Sequence, residues 1–369
     1  MNLQILAENV RRLRNVKRYS QKDLADTAGL SLTAIKNLEC AKAEPHMRTL
    51  QAITKALDVS IQELFQPIPE LHTVRFRSQK RMRKYDRDNI LAAVARWLED
   101  FNFLEKSLNE QKPFRLKALI SGSSGNTAEA AMLCRDELGL KPTEPIHDIS
   151  GLLEHAGVKV FSLPLAIDGF FGLSIGEDDG GPAVVVNVRE TIPVERQIFS
   201  AAHELGHLML HPDAYDVTQV DENAEEEKEA DRFAGHFLLP NEGFRKEWNE
   251  AAGLHFVYRV FKVKNIFRVS YKTVLWRLVE EGAVDQSVWM RFNRAYQQLF
   301  GRSLPHKEEP MGIDEPFRMQ RFGFYEDRFK GLVREAVEKD KISLSRGAEV
   351  LRIGIEEMQD LLRNWEVVL

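Results

Sequence analysis

The pentapeptide His203-Glu204-Leu205-Gly206-His207 constrains this 369-residue chain more than any other feature. It lies in an apolar stretch, residues 198–210, whose pattern predicts a helix. Because a helix advances about 100° per residue, the two histidines share one face and can bind the same metal ion. Glu204 lies beside them, where its carboxylate can accept a proton from water without being a ligand. The pattern therefore predicts one zinc ion per chain in a hydrolytic site, and it requires a third ligand.

An acidic stretch, residues 225–240, offers that ligand. Glu227 falls on the edge of the apolar stripe of the predicted helix, whereas Glu229 is rotated about 100° away from Ala230. We therefore predict Glu227 as the ligand. Asp231 lies one turn further along the same edge, where it can accept a hydrogen bond from the free ring nitrogen of a metal-binding histidine. The stripe itself consists of Ala230, Phe233, Ala234 and Phe237.

These two stretches resemble the ImmA/IrrE family of metallo-endopeptidases. In that family, His-Glu-x-x-His is followed by a Glu-x-x-Ala-(Asn/Asp)-x-Phe-Ala helix that ends in Leu-Leu-x-Pro or a near variant; here the second pattern runs from Glu227 to Pro240. The resemblance spans about residues 70 to 285. It implies that His203, His207 and Glu227 are the zinc ligands and that Glu204 is the catalytic base. It also implies a protein substrate, typically a repressor or an antitoxin-like protein cut in response to stress or invading DNA.

Three further side chains are alternative members of the same site. His211 follows His207 by one turn and is an alternative third ligand, although the spacing does not suit the longer metzincin pattern. His236 lies on the helix of Glu227 and could donate a hydrogen bond to a transition state, but a surface histidine is the preferred interpretation. Tyr215 is a similar candidate.

Residues 1–66 form a second region, with ten basic and seven acidic side chains up to residue 65. The pattern predicts five short helices: residues 2–17, 21–28, 31–40, 47–57 and 61–65. Ser20 and Ser31 are predicted N-caps, and Gly29 is predicted to end the second helix and to provide the tight turn of a helix-turn-helix motif.

The amino-acid sequence of this motif resembles that of the Xre/phage-repressor family. In that family the second helix of the motif enters the major groove of double-stranded operator DNA. The resemblance implies that Gln21 and Ser31 contact phosphate and that Lys42 lies near the DNA backbone. At Cys40-Ala41 the chain departs from the family, which commonly has glycine there. The alternative from the residues alone is a small helical dimerisation module, so a homodimer stays open. By position, four side chains would face the bases: Leu32, Thr33, Lys36 and Asn37.

The segment between the two regions begins with a proline-containing linker, residues 66–69, and an alternating strand, residues 71–77. A basic run, residues 80–87, is interpreted as a solvated face before a helix from Asn89 to Leu108, rather than as a nucleic-acid contact. Three strands are predicted at residues 158–163, 169–175 and 182–188. An extended substrate could pair with Gly172–Ile175 or Val184–Asn187 by strand addition; alternatively, both strands are only core.

The fold class is predicted to be α+β and mainly helical. Residues 1–66 are assigned to a five-helix Xre-type DNA-binding domain, and residues 67–285 to a gluzincin-like metallopeptidase domain with a small β-sheet. Residues 286–369 are assigned to a C-terminal helical region. Two further segments have sequence patterns like that of a helix-turn-helix motif: one around Ser270, just before this region, and one at residues 342–351, within it. Structural helices are the preferred interpretation of both.

Composition limits the remaining function classes. The net charge of −5 is distributed unevenly, and no apolar run approaches the ~20 residues of a membrane span. Cys40 and Cys134 lack partners at zinc or disulfide spacing, which predicts reduced thiols and a cytoplasmic protein with no membrane partner. The predicted function is a DNA-binding regulator with zinc endopeptidase activity. The alternative is a non-proteolytic transcription factor or antitoxin whose zinc site is structural or vestigial; Glu204 favours the peptidase, because a structural site has no use for a base.

Overall fold

The computed structural model describes residues 2–78, 82–120, 126–215, 223–304, 315–320 and 323–365. Residue contacts divide the chain into two compact units. The first comprises Met1–Glu70 and Arg83–Arg96, and the second comprises Leu71–Met82 and Trp97–Leu369. The structure is mostly helical with one small sheet, so the predicted α+β class is confirmed. The domain boundaries at 66 and 285 stay predictions.

The first unit contains the five predicted helices. Their apolar stripes meet in one core, which includes Leu6, Leu24 and Ile53. The helices are α1 (Leu3–Val16), α2 (Gln21–Ala28), α3 (Leu32–Glu39), α4 (Met47–Leu57) and α5 (Ile61–Phe65).

Short polar side chains determine where these helices begin and end. Ser20 and Asp23 form a reciprocal capping box at the start of α2, and the Ser31 hydroxyl accepts the N–H of Ala34 at the start of α3. Gly29 adopts φ +65°, the left-handed conformation that lets the chain turn sharply between α2 and α3. The predicted caps and turn are therefore confirmed.

The second unit contains a four-stranded sheet of order β1-β3-β4-β2. Pairing is antiparallel for β1 with β3 and for β3 with β4, and parallel for β2 with β4. Because β3 and β4 are the central strands and β1 occupies the outer side of β3, the prediction that an extended substrate pairs with Gly172–Ile175 or Val184–Asn187 is wrong, and the alternative that both strands are core is confirmed. The strands are β1 (Val74–Ser78), β2 (Lys159–Leu163), β3 (Phe170–Ile175) and β4 (Ala183–Asn187).

Two helices pack against this sheet and against each other. Helix α9 (Val194–Leu210) is buried along most of its length, since the sheet lies on one side and α10 (Ala224–Leu238) on another. Gly206 allows the close approach of α9 and α10: an added Cβ would lie 3.1 Å from the Phe233 ring and 3.2 Å from the Ala230 Cα. A side chain at Gly206 would therefore crowd α10 at the place where the two motif helices meet.

The other helices complete the two units. Helix α6 begins at Lys84, five residues before the predicted start, and contributes to both units. Helix α14 packs into the same core as the helices before it, through Val288, Phe292 and Tyr296. Within the described residues, no helix is both long enough and apolar enough to cross a bilayer. These helices are α6 (Lys84–Leu108), α7 (Thr127–Glu137), α8 (Ile149–His155), α11 (Asn241–Glu250), α12 (Phe256–Phe267), α13 (Tyr271–Glu280), α14 (Val288–Phe300), α15 (Arg328–Glu338), α16 (Leu344–Leu351) and α17 (Ile355–Trp365).

Candidate metal centre

His203, His207 and Glu227 converge on one point between α9 and α10. The Nε2 atoms of the two histidines are 2.9 Å apart. The Glu227 carboxylate places Oε2 3.2 Å from His203 Nε2 and Oε1 3.1 Å from His207 Nε2. Each residue thus offers one ligand atom to a common site, and both histidines are fully buried.

This donor set fits zinc. Two imidazole nitrogens and one carboxylate oxygen are ligands that zinc takes in hydrolytic sites, and at bond lengths of about 2.0–2.2 Å their tetrahedral separation is about 3.3 Å, close to the spacing observed. Burial lowers the pKa of His207 well below its ordinary value, which favours the neutral ring that a metal requires. Burial alone would raise the pKa of Glu227, but the facing His203 and His207 rings outweigh burial and lower it, so the carboxylate stays ionised.

Asp231 lies where the sequence predicted. Its Oδ1 atom is 2.7 Å from the Nδ1 atom of His203, on the opposite side of the ring from Glu227. If His203 carries its proton on Nδ1, the Asp231 carboxylate accepts it, and the lone pair of Nε2 is directed toward the other ligands. This hydrogen bond fixes the ring orientation and the tautomer that coordination needs.

His207 is oriented by a chain of hydrogen bonds through His211 and Glu229, which the sequence did not predict. Its Nδ1 atom lies 3.0 Å from Nδ1 of His211, and Nε2 of His211 lies 2.8 Å from Oε2 of Glu229. If Glu229 accepts the Nε2 proton of His211, then His211 Nδ1 accepts the Nδ1 proton of His207, and His207 Nε2 is free for a metal. His211 is thus a partner of a candidate ligand rather than a member of the three-residue cluster.

Glu204 lies directly beneath the sheet. Its side chain is fully buried, and an added Cβ on Gly172 of β3 would be 3.1 Å from Glu204 Oε1. A glycine at this position of β3 therefore makes room for the carboxylate. Tyr215 is also close to this part of β3, because its hydroxyl donates to Ser174 Oγ over 2.9 Å, and burial raises its pKa.

Arg75 is a further side chain at this centre that sequence reasoning missed. It comes from β1, and its guanidinium donates to Glu226 and to Oε1 of Glu227, with Nη2 3.2 Å from the latter. Burial alone would lower the pKa of Arg75, but the hydrogen bond to Glu226 and the negative charge of Glu227 raise it, so the side chain stays cationic. No local pattern indicates this contact, since 152 residues separate Arg75 from Glu227.

His236 does not belong to the centre. Its Nε2 atom lies 3.1 Å from Glu280 Oε1 and 3.3 Å from a guanidinium nitrogen of Arg277. The preferred expectation of a surface position is wrong, because His236 is only 6 % exposed. It belongs to a polar cluster with helix α13.

In the first unit, helix α3 presents the predicted DNA-facing residues to solvent, while Ile35 and Leu38 on its other face are buried. Ser31 is exposed but caps α3. Gln21 is half-buried, and its amide nitrogen donates to Glu39 Oε2 over 2.8 Å, beside the ion pair of Glu39 with Arg14. The exposed members of the predicted set are Ser31, Leu32, Thr33, Lys36, Asn37 and Lys42.

Comparison with known proteins finds a family match for each of these two regions. Residues 153–279 match the family described as the IrrE N-terminal-like domain, a peptidase family, and residues 10–64 match the helix-turn-helix family. The control protein C.SmaI of Serratia marcescens is 41 % identical to this chain over 61 residues, which are 16 % of this chain and 73 % of that protein.

Two solved structures align along nearly the whole chain. PlcR from Bacillus thuringiensis, solved with the peptide PapR7 and DNA, is 9 % identical, with 97 % of this chain and 99 % of PlcR covered. ComR from Streptococcus suis is 12 % identical, with 98 % and 96 % covered. Both have a TM-score of 0.17, which is below the level expected of chains that share an overall fold.

The two family matches cover the two sequence motifs in the order in which the motifs occur along the chain. The N-terminal match covers the capped helices α2 and α3, and the second match covers both motif helices of the candidate metal centre. This chain therefore belongs to the Xre-type helix-turn-helix regulators and carries, after its DNA-binding domain, a domain of the ImmA/IrrE family.

Proposed function

We propose that this regulator is also a zinc-dependent endopeptidase that cleaves a repressor or an antitoxin-like protein. The observation that carries the proposal is the convergence of His203, His207 and Glu227 beside the buried carboxylate of Glu204. A structural zinc site has four protein ligands, whereas a catalytic site has three and leaves a position open. Among the described residues, the cluster of potential metal ligands has three members.

The three side chains would hold zinc through two imidazole Nε2 atoms and a carboxylate oxygen. Zinc bound there supplies a Lewis acid that polarises a peptide carbonyl and makes water acidic near neutral pH. Asp231 and the pair formed by His211 and Glu229 keep the two imidazoles in the required tautomer.

Glu204 is assigned the role of general base and acid. It accepts a proton from the attacking water while the water oxygen bonds to the carbonyl carbon of the scissile peptide. It then delivers that proton to the amine nitrogen as the carbon–nitrogen bond breaks. Its burial suits this role, because a carboxylate shielded from bulk water holds one orientation and transfers a proton only to a group that enters the site.

The same proposal assigns operator DNA to the first unit. The exposed face of α3 offers Lys36 and Asn37 for base edges, and Ser31 at the start of that helix lies near an N-terminus that favours phosphate. Proteolysis of a repressor and binding of an operator would then be two activities of one regulator.

The test is Glu204→Gln in the full chain. We expect zinc to be retained at one ion per chain, because Glu204 is not a ligand, while cleavage falls about 10²- to 10⁴-fold through loss of the proton acceptor. Metal content is measured by mass spectrometry of the purified protein. Cleavage is measured as new peptide N-termini in a lysate of the host, with the protein encoded by the adjacent gene tested separately.

Glu225→Gln is the matched control. Glu225 begins the same helix as Glu227 but is exposed and bonded to Lys228 over 2.7 Å. It should retain both zinc and cleavage. A Glu204→Gln protein that cuts at the wild-type rate would refute the role of Glu204, and a wild-type protein that binds no zinc would refute the proposed function itself.

A further inference from the structure

The linker strand β1 reaches the metal centre through a single side chain. Arg75 is 9 % exposed and is paired in the sheet with Ser174 of β3. Just before the strand, Asp179 Oδ2 accepts the backbone N–H groups of His72 and Thr73 over 2.7 and 2.6 Å. The backbone on both sides of Arg75 is therefore held by hydrogen bonds.

The guanidinium of Arg75 bridges two adjacent carboxylates of α10. One nitrogen donates to Glu226 and the other to Oε1 of Glu227. Two carboxylates at consecutive positions repel each other, and a planar cation between them removes that repulsion. The bridge also limits the rotation of the Glu227 side chain, whose two oxygens are the atoms that face His203 and His207.

We infer that Arg75 is a positioning residue for the metal centre: it holds Glu227 in the orientation that coordinates zinc. This inference rests on the proposed function for its metal and extends that centre to β1, which precedes the IrrE-like match at residues 153–279. The family-matched segment alone therefore lacks one of the side chains that organise its site, and the strand after the DNA-binding domain provides it.

The inference is tested by zinc affinity in the full chain, measured by competition with a chromogenic chelator. Arg75→Gln removes the charge and the two-pronged contact, and we expect zinc affinity to fall about 10- to 100-fold, as is usual when a hydrogen-bonding partner of a metal ligand is lost. Arg75→Lys keeps the charge but cannot bridge both carboxylates in the same geometry, so partial recovery is expected.

Two controls accompany this comparison. Arg189→Gln breaks a surface ion pair of the same type, in which Nη1 lies 3.4 Å from Asp168 Oδ1, and it should leave zinc affinity unchanged. Glu226→Gln keeps the contact of Arg75 with Glu227 and should cost less affinity than Arg75→Gln. Circular dichroism of the metal-free proteins verifies that each variant is folded.

A spectroscopic measurement separates positioning from general stability. With Co²⁺ in place of zinc, the visible absorption reports the ligand geometry, and Arg75→Gln should change this spectrum while Arg189→Gln should not. A variant that fails to fold is replaced by Arg75→Lys, which is subject to the same two readouts.

The outcomes are distinguishable. If Arg75→Gln binds zinc as tightly as the wild type with the same Co²⁺ spectrum, the inference is overturned. Unchanged affinity with faster cleavage would mean that Arg75 obstructs the site instead. If affinity falls in Arg75→Gln but no form of the protein cuts any peptide, the peptidase proposal fails and the positioning role stands. A wild-type chain without zinc affinity would overturn both.

Discussion

At the scale of single residues, Ala41 shows how one departure from a family pattern is accommodated. It follows Cys40, the C-cap residue of α3, and adopts φ +53°, a left-handed conformation that favours glycine. Its N–H donates to Leu38 O over 3.0 Å, and the N–H of Lys42 donates to Asn37 O over 3.0 Å. The helix therefore ends with the hydrogen bonds of a left-handed cap, although the glycine is missing.

Ala41→Gly is accordingly expected to stabilise the end of α3. A non-glycine residue in this conformation costs on the order of 1 kcal/mol, and glycine would recover most of it despite its greater freedom in the unfolded chain. Hydrogen exchange of the α3 backbone should slow about two- to fivefold. Ala34→Gly, within the same helix, should have the opposite effect, since glycine destabilises a helix interior. Faster exchange in Ala41→Gly would contradict the strain argument.

At the scale of the secondary-structure elements, helix α8 carries a buried carboxyl group that feels the charges of residues 326–328. Glu154 of α8 is 2 % exposed. Its pKa is raised to about 8. Burial is the largest cause, the charges of Glu326 and Asp327 act in the same direction, and those of Arg328 and Lys112 oppose them. A glutamate in this environment keeps its proton in the folded protein at neutral pH.

This pKa predicts a pH-dependent stability. In the unfolded chain Glu154 ionises near pH 4.5, whereas in the folded chain it holds its proton to about pH 8. The unfolded state therefore binds fewer protons over this range, and the contribution of Glu154 to stability declines as pH rises from about 4.5 to 8. Glu154→Gln should be more stable than the wild type at pH 8, by on the order of 1–3 kcal/mol, with the difference closing toward pH 5.

Thermal unfolding at pH 5, 6.5 and 8 checks this expectation. Glu137→Gln, on the partly exposed surface of α7, is the control and should follow the wild type at each pH. A Glu154→Gln protein whose advantage is equal at pH 5 and pH 8 would show that the buried carboxyl is not the titrating group.

At the scale of the whole molecule, each set of functional side chains lies within one unit. The predicted DNA-facing residues belong to the first unit, and the metal centre, including Arg75, belongs to the second. A substitution on α3 should therefore change DNA binding without changing the affinity of the metal centre.

Lys36→Ala tests this separation. If Lys36 contacts a base, its loss should weaken binding to the selected operator by about 1–3 kcal/mol and relax sequence preference at one position. Binding sites are first selected from random DNA, and affinity is then measured by fluorescence anisotropy at several salt concentrations. Lys55→Ala, exposed on α4, is the control. If both variants lose affinity equally on all sequences, Lys36 contributes only charge; zinc affinity should stay at the wild-type value throughout.

Local sequence patterns predicted the helices, their caps and the helix faces that carry the candidate ligands. Caps at Ser20 and Ser31, the turn at Gly29 and the helical spacing of His203 and His207 are set by residues within a few positions of one another, so local rules predict them. The edge position of Glu227 also followed from the period of one helix. These features depend on the backbone geometry of a short segment and not on what packs against it.

Contacts between residues far apart in the chain follow from the packing of the elements and are absent from local patterns. The strand order, with β1 on the outer side of β3, overturned the predicted substrate edge, because strand pairing joins segments about 100 residues apart and leaves no mark on either strand alone. The same holds for Arg75, and for His211, whose partner Glu229 is rotated about 100° from Ala230 on its own helix. Periodicity specifies the direction of a side chain on its own element, whereas its partner depends on how the elements pack.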